Sequence, residues 1–140
     1  MAGEFELALG RFAEKFLDLA DEAVIGIVLE VHGKLVERSP VDTGWFRAQW
    51  TYGLDDFDTA PRPSPPLPEG RQPGDGPIYG GPKQPPFTVG IGHIHFLYNN
   101  APYARRLEYG YSGKAPNGMV RITVAEFHDI VERQGQRVAQ

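Results

Sequence analysis

The stretch EFELALGRFAEKFLDLADEAVIGIVLEVHGKLVER, residues 4–38, decides how this chain folds. Phe5, Leu9, Phe12, Phe16, Leu19, Ala23 and Ile27 recur at spacings of 4, 3, 4, 3, 4 and 4, one face of a single long helix. Glu4, Glu6, Glu14, Asp18, Asp21 and Glu22 fall mostly off that seam, and acids in the first turns suit the positive end of the helix dipole. From Val24 to Val36 the apolar residues spread around the helix, with Val28, Val31 and Leu35 among them. A helix apolar on most faces is buried on most faces, so this half predicts either a central core element or a subunit interface. Gly26 and Gly33 weaken the helix by about 1 kcal/mol each relative to Ala, and small residues there allow a second backbone to come close. His32 reads as a helix-face residue without chemistry.

Pro40 ends the helix, because the residue before a proline is pushed out of the α region. Ser39 to Gly44 then reads as a turn whose side chains bond backbone N–H groups. Trp45 to Leu54 is rich in aromatic and β-branched residues and predicts a strand, with Phe46, Ala48, Trp50 and Tyr52 on its core face. Residues 55–86 change character: Asp55, Asp56 and Asp58 open the segment, and residues 61–86 hold ten of the thirteen prolines. Such a run cannot sustain a regular hydrogen-bond ladder and predicts a long excursion between two strands.

Phe87 to Phe96 returns as a strand, extended through Leu97 and Tyr98, with His93 and His95 on one face and Gly90 and Gly92 on the other, where a helix can pack closely. Asn99 to Pro102 forms a turn, and Tyr103 to Tyr109 winds into a short helix that Gly110 stops. In it Tyr103 and Leu107 share a face, and Arg105 is spaced to pair with Glu108. Tyr and Arg are enriched at interface hot spots, so this helix reads either as a contact surface or as a helix packed on its own sheet with solvated arginines. After a turn-rich loop, Met119 to about Arg133 forms a second long helix with Val120, Val124, Phe127 and Val131 as its seam and Ile130 beside them, and the tail frays.

The pattern therefore predicts one α+β domain over residues 1–140. A long N-terminal helix and a C-terminal helix pack on a small, mostly antiparallel sheet, with the proline-rich loop between strands. No stretch approaches the roughly 20 apolar residues of a membrane span, and the opening residues resemble neither a signal nor a transit peptide. With no cysteine, disulfides, thiolate catalysis and cysteine zinc sites are excluded, and a reducing compartment fits. The net charge of −4 argues against a dedicated nucleic-acid binder. Residues 1–58 carry 12 acids and 5 bases, and residues 59–140 carry 6 acids and 9 bases, a split that favours head-to-tail association between copies.

Chemistry is sparse. His93 and His95, two apart on a strand, have the spacing to share a zinc ion, which makes a small metal-dependent hydrolase one reading; sheet-surface histidines are the other. The Asp55, Asp56, Asp58 group lacks the glycine and distal glutamate of a calcium loop and reads as a solvated acidic turn. No phosphate-binding loop, nucleophile elbow or H-E-x-x-H motif is present. The run PRPSPPLP contains the P-x-x-P spacing of an SH3 ligand, which supports an adaptor reading, against an arm that reaches a neighbouring subunit. We read no enzyme, no cofactor and no metal site here.

Two stretches together resemble a known family. Ser39-Pro40-Val41-Asp42-Thr43-Gly44-Trp45-Phe46-Arg47 is similar to the "(S/T)PVDTG-x-(L/F)-(R/K)" signature of head–tail joining proteins of long-tailed bacteriophages and prophages, also called neck, tail-completion or tail-component proteins. Asn99 to Gly110 resembles that family's "N-x-(A/V)-x-YA-x-x-(L/V)-E-x-G" block. The resemblance implies a structural virion protein of small α+β subunits, assembled in the host bacterial cytoplasm into a homo-oligomeric ring, commonly of six copies. The ring connects the portal complex to the tail tube and leaves a channel that DNA crosses without specific binding; a tail terminator ring is the alternative. Implied partners are other connector and tail-tube proteins, with no membrane. The interface residues this suggests are Val28, Val31, Leu35, Tyr103, Arg105, Arg106, Glu108 and Tyr109, beside the motif turn Pro40, Val41, Asp42, Thr43 and Gly44.

Overall fold

The computed structural model describes residues 2–84, 88–110, 113, 115 and 117–140. Their fold is α+β, with five helices and a two-stranded antiparallel sheet. Helix α1 is Ala2–Glu37, α2 is Trp45–Ala48, strand β1 is Trp50–Leu54, β2 is His95–Asn99, α3 is Ala104–Glu108, α4 is Val120–Ala125 and α5 is Phe127–Ala139. The strands pair in a register that sets Trp50 opposite Asn99 and Leu54 opposite His95.

The core gathers where the end of α1 meets the sheet. Leu35, Phe46, Trp50, Ala101, Ala115 and Met119 are buried together, with Val31, Val36, Leu97, Tyr103, Ala104 and Leu107 packed around them. Ser39 organises its edge: the hydroxyl donates to the Leu35 carbonyl at 2.6 Å and accepts from Trp50 Nε1 at 2.6 Å. The Ser39 hydroxyl and the Trp50 indole N–H thus satisfy each other, which removes the desolvation cost of leaving either one alone.

Helix α5 runs against α1. At Gly26 the ends of the Gln134 and Arg137 side chains fill the space a Cβ would take, whereas Gly33 faces open space. Glu30 accepts from Arg133 and from Gln134 at 2.9 Å, while Glu126 accepts from Arg38 at 2.7 Å and Lys34 at 3.0 Å. Arg38 and then Lys34 hold the Glu126 carboxyl below its ordinary range. These ties extend α5 to Ala139, beyond the fraying expected of the tail.

Three expectations change. Residues 45–48 form a helical turn rather than the start of a strand. Gly44 takes the left-handed φ of 89°, Ala48 N–H donates to the Gly44 carbonyl at 3.0 Å, and the Asn99 amide caps the Phe46 carbonyl at 2.9 Å. Phe46 and Trp50 both reach the core as foreseen, and their rings meet edge to face at 6.2 Å. The strand expected from Phe87 begins only at His95. Phe87 itself lies outside the described residues, and residues 88–94 bend because Gly92 takes φ 82°. Gly90 does meet a helix: a Cβ would collide with Asp21 of α1, whose carboxylate accepts from Gly90 and Ile91 N–H at 2.7 and 2.9 Å.

The third change concerns the C-terminal helix, which breaks at Glu126 into α4 and α5 and turns inward a different face from the expected seam. Met119 and Thr123 are buried together with Ile130, the residue expected beside the seam, whereas Val120, Val124, Phe127 and Val131 are all exposed. Thr123 satisfies its hydroxyl on the Met119 carbonyl at 2.7 Å and also accepts from Arg38, so a polar residue can sit in the interior. Ile130→Ala should therefore lower stability by about 2–5 kcal/mol, and Val124→Ala should change it by less than about 0.5 kcal/mol. Urea titrations of both variants, followed by circular dichroism, check the assignment of the two faces.

Candidate functional site

The two stretches that carry the family resemblance lie side by side, and a proline-rich strap joins them. The Thr43 carbonyl accepts from Ile78 N–H at 2.7 Å and Tyr79 N–H at 3.0 Å, while its hydroxyl accepts from Trp45 N–H at 3.2 Å. The positive φ of Gly44 suits glycine, and the close Tyr79 carbonyl leaves a Cβ there only 2.6 Å of clearance. Trp45 packs edge to face on Tyr79 at 5.1 Å. Arg71 Nη2 reaches both the carbonyl and the carboxylate of Asp42 at 3.1 Å.

The strap is tied on its other side to the second stretch. Ser64 and Tyr103 share a hydroxyl–hydroxyl hydrogen bond, Arg62 N–H donates to the Asn100 carbonyl at 2.9 Å, and the Asn100 amide donates to the Asp58 carbonyl at 2.7 Å. Phe57 packs on Phe96 and Tyr98. Between turn, strap and helix lies a cleft of about 370 Å³, lined by Pro40 to Phe46, Ser64 to Pro68, Ile78, Tyr79, Tyr103 and Leu107. Its one carboxylate, Asp42, is engaged by Arg71. Apolar and aromatic walls with a few hydroxyls give the cleft the lining of a binding pocket. Arg62, Ser64, Arg71 and Tyr79 went unnoticed in the sequence, because nothing in a proline-dense run marks where it touches down.

Helix α3 has its own anchor. The Glu108 carboxylate accepts from Met119 and Val120 N–H at 2.9 and 2.6 Å, from Arg121 N–H at 3.2 Å and from Arg121 Nε at 3.0 Å. It thereby satisfies N–H groups left open at the start of α4. The expected Arg105–Glu108 pair gives way to this cap, because three backbone donors and a guanidinium outcompete a single solvated arginine. Burial would raise the Glu108 pKa, but the N–H donors of Val120, Met119 and Arg121 together with the Arg121 side chain bring it below the usual value. Gly118, at φ 83°, leaves room for the carboxylate, and Gly110 at φ 84° ends α3 as expected.

Of the other suggested interface residues, Leu35 belongs to the chain's own core and Val31 packs against it, while Val28 is half-buried. Tyr103 faces the cleft. Arg105, Arg106 and Tyr109 are exposed, with the Arg121 guanidinium 4.8 Å from the Tyr109 ring centroid.

The two strand histidines separate. His93 Nδ1 donates to Asp55 at 2.7 Å. His95 Nε2 donates to the Gly90 carbonyl at 2.6 Å, and its Nδ1 shares a hydrogen bond of 2.6 Å with the Tyr52 hydroxyl. Asp56 and Asp58 accept from Phe57 and Ala60 N–H, local turn bonds rather than ligands converging on a point. Among the described residues, no three His, Asp or Glu side chains gather to hold a metal ion, and no helix is long and apolar enough to cross a membrane.

Glu108→Ala should cost roughly 1–3 kcal/mol at neutral pH, the worth of hydrogen bonds to a charged group. Because the folded pKa lies below the ordinary 4.5, the wild-type advantage is present in full above that value and declines as pH falls through the folded pKa. Thermal melts of both proteins between pH 7 and pH 3 measure it; a difference independent of pH would remove the carboxylate from this role. Comparison with protein families, with curated proteins and with solved structures returns no match for this chain.

Proposed function

We propose that this chain is a ring-forming structural subunit of the head–tail junction of a long-tailed bacteriophage, a neck or tail-completion protein that joins the portal complex to the tail tube. The observation that carries the reading is the meeting of Pro40–Gly44 with Tyr103 and Leu107 around one cleft. Two stretches that separately resemble one family thus form a single surface in the fold. An exposed cluster of Arg105, Arg106 and Tyr109 beside that surface supports a contact with a neighbour, since such residues anchor interfaces. A net acidic chain suits a channel wall that DNA passes without adhering. The reading assigns no catalytic step and no cofactor.

Native mass spectrometry with negative-stain imaging of the same sample tests it. Closed rings, six-membered in the simplest case, are the expected result; open fibres or a closed dimer would overturn the reading. Arg105→Glu with Arg106→Glu should weaken assembly while the circular dichroism spectrum of the monomer stays unchanged. Undiminished assembly would take these arginines out of the contact.

A further inference from the structure

Residues 3–18 of α1 are exposed throughout, so the first four turns stand clear of the rest of the chain as an arm. Phe5, Leu9, Phe12 and Phe16 form an apolar seam along it, with Phe12 68% and Phe16 62% exposed. The three phenylalanines alone present on the order of 400 Å² to solvent, already at the scale of the largest patch on a typical monomer. Residues 2–22 hold six acids against two bases, a net charge that equals that of the whole chain, −4.

A second set of exposed apolar residues runs from Tyr109, just after α3, along α4 to the first residue of α5. Tyr109, Val120, Val124 and Phe127 are exposed there, Val124 by 65%. Arg105 and Arg106 stand exposed on its rim beside Arg121, whose guanidinium is bound to Glu108. The nearby acids are largely committed within the chain: Glu108 caps α4, and Glu126 is held by Lys34 and Arg38, while Asp129 stays exposed. An acidic helix with an apolar seam and an apolar face with a basic rim complement each other in both hydrophobicity and charge.

We propose that the arm of one copy docks on the Tyr109–Val120–Val124–Phe127 face of the next copy, a head-to-tail contact that links subunits in sequence. The proposal rests on the ring reading above in taking the neighbour to be a second copy of this chain. A contact between two different patches propagates, and it closes into a ring when the rotation per subunit permits. The seam on the arm enters between the valines of α4 and the ring of Tyr109, and the acids beside it meet Arg105 and Arg106.

Two single-surface variants test it. Phe12→Glu with Phe16→Glu disables the arm and keeps the face; Val124→Glu disables the face and keeps the arm. All three positions are exposed, so each variant should keep the wild-type circular dichroism, and Val124→Ser replaces Val124→Glu if α4 is disturbed. Each variant alone should lose at least about tenfold in self-association, as truncation of an interface anchor does. Mixed, they should form a complex of twice the 15.5 kDa chain mass and no larger, because only one good arm and one good face remain to meet. Undiminished self-association of Val124→Glu would mean that arms pair with arms and would overturn the proposal. A mixture that stays monomeric would overturn it too. Wild-type open chains with a two-chain mixed complex would uphold the docking while removing the ring reading.

Discussion

The Glu108 carboxylate carries much of this architecture. It sits at the end of a five-residue helix, too short to be stable by itself, and binds the first backbone N–H groups of α4. That cap sets the position of Met119, which is fully enclosed in the core, and so the line along which α4 enters. From there Thr123 and Glu126 meet Arg38 and Lys34, and α5 is laid along α1 with Ile130 sealed inside. A charged acceptor in a nearly buried setting is stronger than a neutral one and costly to leave unpaired. One side chain therefore couples the motif helix to the packing of the two long helices.

A second constraint is the turn at Gly44. Its left-handed backbone turns the chain from α1 into the sheet and starts α2 in the same step. The Thr43 carbonyl is thereby presented to the strap, which closes the cleft by backbone bonds rather than by side-chain packing alone. Proline-rich chain has few N–H donors, so the donors it retains, at Arg62, Ile78 and Tyr79, decide where it is held. The strap thus completes the surface formed by the two resemblance-bearing stretches, and the proposed function gives that surface a purpose.

The arm stands apart in physical terms. The phenylalanines on these four free turns gain nothing from their own domain, and a patch of that size is the kind of surface that a partner covers. The proposed docking makes the cost of that exposure temporary, ended by assembly. The acidic bias of the arm opposes non-specific collapse before assembly, as like charges repel.

The sequence by itself determined the long helix, the stop at Pro40, the short helix ended by Gly110 and the pairing of two aromatic-rich segments as a sheet. Local periodicity, proline sterics and the glycine left-handed region act within a few residues and need no distant partner. It also contained the motif turn and the Tyr103–Gly110 block as separate signals. Tertiary structure decided that residues 45–48 coil, because Asn99 caps Phe46 from another strand. It decided as well which face of the C-terminal helix is inside, where the Thr123 hydroxyl donates to the Met119 carbonyl and accepts from the Arg38 guanidinium. Hydrophobic spacing counts apolar residues alone; burial follows from what each residue meets, and those partners lie far along the chain.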